Sequence, residues 1–243
     1  MSSIRVKAVI AYDGTAYLGF QKQTSTKQTI TYTIEKALAS LHIDSTIVGS
    51  GRTDAGVHAT GQVIHFDLPE YWKDLAKLKL NLNRILKNIR FKHITKVSSN
   101  FHARHSAKKR LYRYVFKGKK PSLFEQSSIS YYGHFDAIIL LGALRYFEGE
   151  HDFDFFRKTG TDTRTSIREV YQAKYIQRGE YHFIYFQANG FLRAQVRMMI
   201  DAAMLCAKGN LTLDSLKEQL NCQKKHTTNL APAEGLYLAR VMY

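Results

Sequence analysis

The 243-residue chain is predicted to be an antiparallel α+β protein. Three observations lead there. Short segments alternate apolar and polar residues, as strands with one buried face do. Between them run segments with apolar residues every three to four positions, the spacing of amphipathic helices. A hairpin signal, Arg178-Gly179 between two alternating runs, favours antiparallel pairing over a doubly wound parallel sheet.

Ile4, Val6, Ala8, Ile10 and Tyr12 alternate, so residues 4–12 form a strand, ended by Asp13-Gly14. Ile30, Ile34, Ala37, Leu38 and Leu41 mark a helix. A second strand is expected over 45–49 and a third through Ile64, Phe66 and Leu68, with Leu75, Leu78, Leu82, Ile85 and Leu86 on a further helix. Residues 110–116 form a strand, and Ala137, Leu140, Leu141, Leu144 and Phe147 mark a helix. The hairpin pairs 168–177 with 181–187. A long helix then carries Leu192, Val196, Met199, Ile200, Ala203 and Met204, and a short one carries Leu213, Leu216 and Leu220. Leu236 to Val241 closes the chain as a strand. The composition turns strongly basic near 100–108, which predicts two domains, 1–105 and 106–243. No Gly/Ser-rich or Pro-rich linker separates them, so they are expected to pack together.

Hydrophobic residues at 44% and charged residues at 23% suit a globular protein rather than a disordered one. No apolar run approaches the roughly 20 residues that cross a bilayer. The opening residues alternate like a strand and lack a signal peptide's apolar block, so the expected location is cytoplasmic. Two cysteines, Cys206 and Cys222, are too few for a disulfide framework, and ten histidines make no HExxH; no metal is expected.

Lys and Arg number 36 against 20 acids, a net charge of +16, which suits a polyanionic partner. The charge is concentrated: Arg104, Lys108, Lys109, Arg110, Arg113, Lys117, Lys119 and Lys120 lie within 101–120 with no acid among them, interleaved with Phe101, Tyr112, Tyr114 and Phe116. Cations for phosphates beside rings for bases are what RNA binding requires.

The most informative stretch runs from Gly49 to Gln62, Gly-Ser-Gly-Arg-Thr-Asp-Ala-Gly-Val-His-Ala-Thr-Gly-Gln. Its four glycines predict a loop between two strands, open to close approach by a ligand. It holds one acid, Asp54, near one cation, Arg52. Composition alone favours an ordinary glycine-rich connection with Asp54 as a turn former. The spacing matches neither dinucleotide nor P-loop phosphate cradles.

This stretch resembles the signature of the tRNA pseudouridine synthase A family, whose nucleophile is the aspartate of its Gly-Arg-Thr-Asp-Ala-Gly-Val-His run. Tyr12-Asp13-Gly14-Thr15-Ala16-Tyr17 through Gln21, Phe101-His102-Ala103-Arg104, Tyr112-Arg113-Tyr114, His151-Asp152-Phe153, Phe191-Leu192, Val196-Arg197 and Glu234-Gly235-Leu236-Tyr237-Leu238 continue the resemblance in the family's order. The resemblance implies two ferredoxin-like (RRM-like) α+β halves whose antiparallel sheets join into one central sheet, with the active-site cleft between them. It implies a homodimer with tRNA across both subunits, and a substrate uridine in the anticodon stem-loop, at family positions 38–40. It implies no metal and no organic cofactor.

By the same resemblance Asp54 is the nucleophile and Arg197 its supporting cation, since a carboxylate withdrawn from water needs a positive neighbour to stay ionised. Tyr112 corresponds to the tyrosine packed on the target base. Arg52 is expected to support the flipped nucleotide or its phosphates, and Arg104, Lys108, Lys109, Arg110 and Arg113 to track the RNA backbone. On the strand 110–116, Tyr112, Tyr114 and Phe116 share one face; Tyr114 and Phe116 are expected to be core. Attack at C1′, addition to the uracil, and elimination at the ribose all remain open routes for Asp54.

Four places depart from the family pattern: Gln195 for a methionine, Asp201 for a glycine, Lys87 for a proline, and Thr31-Tyr32 for Gln-Gly. Asp201, four residues after Arg197, is a potential competitor for its charge, although an exposed helical pair contributes only about 0.3–0.5 kcal/mol. The alternative to a synthase is a non-catalytic RNA-binding or tRNA-folding paralogue on the same scaffold.

Overall fold

A computed structural model describes residues 3–160 and 163–243. The chain divides into two compact units, residues 1–108 with 238–243, and residues 109–237. The first unit holds β1 (Ser3–Tyr12), α1 (Ile30–Ala39), β2 (Val48–Gly49), β3 (His58–Pro69), α2 (Leu75–Ile85) and β4 (Ile89–Lys96). The second holds β5 (Lys109–Lys117), β6 (Ser130–Tyr131), α3 (Ala137–Tyr146), β7 (Gly149–Asp152), β8 (Ile167–Arg178), β9 (Tyr181–Ala188), α4 (Gln195–Ala207) and α5 (Leu213–Leu220). The closing strand β10 (Leu236–Met242) brings its residues from Leu238 onward into the first unit.

In the first unit β1 is central, antiparallel to β3 on one side and β4 on the other, with β2 on the far edge of β3. This is the split β-α-β order of a ferredoxin-like half. Alternation decides the buried face: Val6, Ala8 and Ile10 of β1 and Ile64, Phe66 and Leu68 of β3 are buried, as are Ile34 and Leu38 of α1 and Leu78 and Leu82 of α2. Each helix is capped by a side chain, α1 by Thr29 and α2 by Asp74, which accept from the amides of Tyr32 and Lys77. In the second unit β5, β9, β8 and β7 lie in that order with antiparallel pairing, while β6 runs parallel to β5. The α+β class is as predicted, with the β5–β6 pair parallel beside the antiparallel ones.

The 45–49 strand shortens to Val48–Gly49 because nearby polar groups bond elsewhere: the Ile47 amide donates to Glu35 Oε1 and the Asp67 amide to Ser45 Oγ. Lys117, counted with the basic run, is 6% exposed and held at 3.0 Å by both Glu125 and Glu180. Tertiary folding thus brings it two acids that its neighbours in sequence lack.

His65 of β3 is buried, and its Nδ1 accepts from the Ala103 amide at 3.1 Å. Burial, with the Arg5 and His102 charges, pushes the imidazole down to about 4. An imidazole with a lowered folded value takes up its proton later than the unfolded chain does. Stability is therefore complete above about pH 6.5 and falls as pH drops from there toward about 4. Replacing His65 by Asn, whose amide oxygen accepts without titrating, is expected to flatten that fall. Melting temperatures of the two proteins between pH 7.5 and 4.5 check this; parallel curves would refute it.

Candidate active site

The Asp54 loop runs from Ser50 to Val57 and is braced at its base, its middle and its end. At the base, the fully buried Gln62 takes the Ser50 hydroxyl on Oε1 at 2.7 Å and donates from Nε2 to the Gly51 carbonyl at 2.9 Å. In the middle, the Phe20 amide donates to the Thr53 carbonyl at 3.0 Å, and the buried Tyr12 hydroxyl lies 2.8 Å from Thr53 Oγ1. At the end, the Gly56 amide donates to the Tyr17 carbonyl at 3.3 Å and the Val57 amide to the Asp54 carbonyl at 3.2 Å.

Segment 12–20 therefore clasps the loop, and its glycines permit the contact. A Cβ on Gly14 would stand 2.1 Å from the Val57 carbonyl oxygen; one on Gly19, whose φ is +108°, would meet the Thr53 carbonyl at 3.1 Å. His58 secures the same junction, since its Nδ1 accepts from the Gly14 amide at 3.1 Å. The same Nδ1 lies 3.2 Å from Asp13 Oδ1, an ion pair only when the imidazole is protonated. Asp13 also accepts from the Thr15 amide and hydroxyl. Asp54 is half-buried and Arg52 exposed. Composition predicts a loop to residue 62, but β3 already begins at His58: Thr60 and Gly61 lie against Ala239 of β10, a partner some 180 residues away.

In the second unit Tyr112 is 8% exposed, edge-on to the Phe191 ring at 5.2 Å. Arg197 sits half-buried in the first turn of α4 and donates from Nε to the Ala231 carbonyl at 2.7 Å. The helix starts after Ala194, a left-handed residue at φ 61°. Gln195 is fully buried and functions as a local brace: Oε1 takes the Leu192 amide at 2.7 Å and Nε2 reaches Met199 Sδ. Asp201, the potential competitor for Arg197, accepts from the Thr227 hydroxyl at 3.5 Å, and burial raises its carboxyl. Thr31 likewise has a defined task, its hydroxyl donating to the Phe20 carbonyl at 2.7 Å. Nothing in the structure explains Lys87.

Of the expected RNA-contacting residues, Arg104, Lys108 and Lys109 are exposed. Lys109 stands over the Tyr171 ring, and Arg110 donates to the Asn189 carbonyl at 2.8 Å. Arg113 is half-buried with its guanidinium over Tyr237, 5.0 Å from the ring centre. Sequence reading assigned no task to Tyr12, His58 or Gln62, because polar side chains that brace a loop carry no periodic signal. Their one trace is position within the family motifs. Among the described residues no group of three or more His, Cys, Asp or Glu is placed to hold a metal ion, and no helix is long and apolar enough to cross a membrane.

A family model described as tRNA pseudouridine synthase matches residues 8–115 and 143–243. The chain is 38% identical over 243 residues to tRNA pseudouridine synthase A of Helicobacter hepaticus, covering 98% of each protein. Against the protein of the same name from Campylobacter jejuni it is 35% identical over 241 residues, covering 99% of this chain and all of the relative. Against that of Lactococcus lactis it is 35% identical over 246 residues, covering 98% and 97%.

Proposed function

The chain belongs to the tRNA pseudouridine synthase family and isomerises uridine to pseudouridine in tRNA, and we propose that it does so with Asp54 as nucleophile. The observation that carries this assignment is the braced loop: its acid stands at the family's aspartate position, held by a dedicated clasp from residues 12–20. The reaction breaks the N1–C1′ bond, turns the uracil and joins its C5 to C1′. The base must leave the stack to be reached, so the enzyme binds a flipped nucleotide. A hydrolase needs a second carboxylate to handle water; an isomerase that returns the same base does not, provided water is excluded.

Arg197 is the cation that supports Asp54 in the site, and its guanidinium is already oriented by Ala231. Tyr112 packs on the target base, and Arg52 supports the extruded nucleotide. The target is uridine in the anticodon stem-loop, at family positions 38–40, and the reaction needs no metal or organic cofactor. The working form is a cytoplasmic homodimer that holds tRNA across both subunits.

Incubating the protein with unmodified tRNA transcripts and mapping pseudouridine is the direct test. Pseudouridine in the anticodon stem-loop is expected; tight binding without isomerisation would favour the non-catalytic paralogue instead. The exposed Arg104 and Lys108 bear on affinity. Each changed to Ala is expected to reduce the log–log salt slope of tRNA binding by about one unit while leaving the chemical step intact. Binding isotherms at several salt concentrations check this, and unchanged slopes would remove both residues from the RNA-binding surface.

A further inference from the structure

Tyr114 has the burial of a core ring but a polar connection that packing does not require. It is fully buried in the middle of β5, and its hydroxyl donates to the Pro232 carbonyl at 3.1 Å. The ring also limits the turn that closes over it. A Cβ on Gly235 would lie 2.7 Å from the Tyr114 ring and 2.8 Å from the Val115 carbonyl, so only glycine lets residues 232–235 approach this closely. Residues 224–232 have no regular secondary structure, so the place of Ala231 and Pro232 rests on bonds of this kind.

Ala231, fully buried, is the residue that grips Arg197. Its amide donates to the Arg197 carbonyl at 3.1 Å, and its carbonyl accepts from Arg197 Nε at 2.7 Å. With Nε committed, the plane of the guanidinium is set, and with it the direction of both terminal nitrogens. Phenylalanine would fill the Tyr114 site equally well if packing were the only need. Burial holds the phenol above its ordinary value, so it remains a donor at every working pH.

We infer that the Tyr114 hydroxyl is a positioning group for Arg197, acting through the Ala231–Pro232 segment. The inference rests on the reading of Arg197 as the cation of the site. It adds a fully buried residue that sequence patterning assigns to the core.

The test is a double-mutant cycle under single-turnover conditions, normalised to folded protein. Tyr114→Phe is expected to lower the rate of pseudouridine formation about tenfold or more, since misplacing a catalytic group by 1 Å can cost about 10²-fold. The KM for tRNA should stay within about twofold, a split that mere loss of stability would not produce. Arg197→Lys removes the Nε that meets Ala231, so Tyr114→Phe should cause no further loss in that background. Tyr132→Phe, which removes a neighbouring hydroxyl 3.5 Å away, should leave the rate unchanged.

A wild-type rate in Tyr114→Phe with a low rate in Arg197→Lys would overturn the inference and leave the role of Arg197 standing. Multiplying losses would also overturn it, because Tyr114 would then act elsewhere. A wild-type rate in Arg197→Lys would remove the underlying reading and this inference with it. If Tyr114→Phe folds poorly, Ala231→Gly is the second variant: it keeps both bonds but loosens the segment. Its rate is expected to fall about threefold or more, and an unchanged rate would overturn the inference.

Discussion

Asp54→Asn is expected to abolish pseudouridine formation, lowering the rate by at least about 10⁴-fold, the scale on which removing a nucleophile acts. The substitution keeps the shape of the side chain and removes its charge. The bonds of Thr53, Gly56, Val57 and the Asp54 carbonyl, which brace the loop, are left in place by the substitution. Fold and tRNA affinity should therefore survive, with melting temperature and Kd near those of the wild type. Binding retained while isomerisation is lost separates chemistry from recognition. An active Asp54→Asn protein, shown free of contaminating synthase, would sink the assignment of this residue.

Gly14→Ala should rank second in effect, although residue 14 is 40 positions from the nucleophile. The new methyl would meet the Val57 carbonyl oxygen at 2.1 Å and its carbon at 2.6 Å, and both are backbone atoms that cannot rotate away. Either the 12–15 turn or the loop carrying Asp54 must move. A stability loss of about 2–4 kcal/mol is expected, with a rate about 10²-fold lower if the carboxylate shifts by 1 Å. Gly179→Ala is the control, because the hairpin glycine at φ +58° has nothing within 4 Å of its Cβ position. Backbone strain of about 1–2 kcal/mol should be its whole effect. Denaturant melts beside single-turnover rates distinguish the two variants; a wild-type rate in Gly14→Ala would show that the clasp does not set the loop.

Elements with a strong period were legible. The apolar stripe of Leu75, Leu78, Leu82, Ile85 and Leu86 predicts α2 to within a residue, and the Arg178-Gly179 turn predicts β8 and β9. Strand β4 was missed because it shows solvent to most of its length: Arg90, Lys92, His93, Thr95 and Lys96 are exposed, and only Ile89 and Phe91 are buried. The short, polar β7 escaped for the same reason. The acid-bearing loop was legible through its residue types and spacing, whereas the clasp that steadies it was not.

Local features belong to the chain alone: helix stripes, caps, the hairpin, the concentration of cations, and a run of residues specific enough to identify a family and its aspartate. Non-local features came only with folding. Gly61 meets Ala239, Lys117 gains its two glutamates, and Tyr114 is joined to Arg197 through Ala231 and Pro232. Periodicity and capping reflect interactions within a few residues, and so they can be read in order along the chain. Buried hydrogen bonds and close backbone approaches are instead selected by whichever distant segment desolvates them.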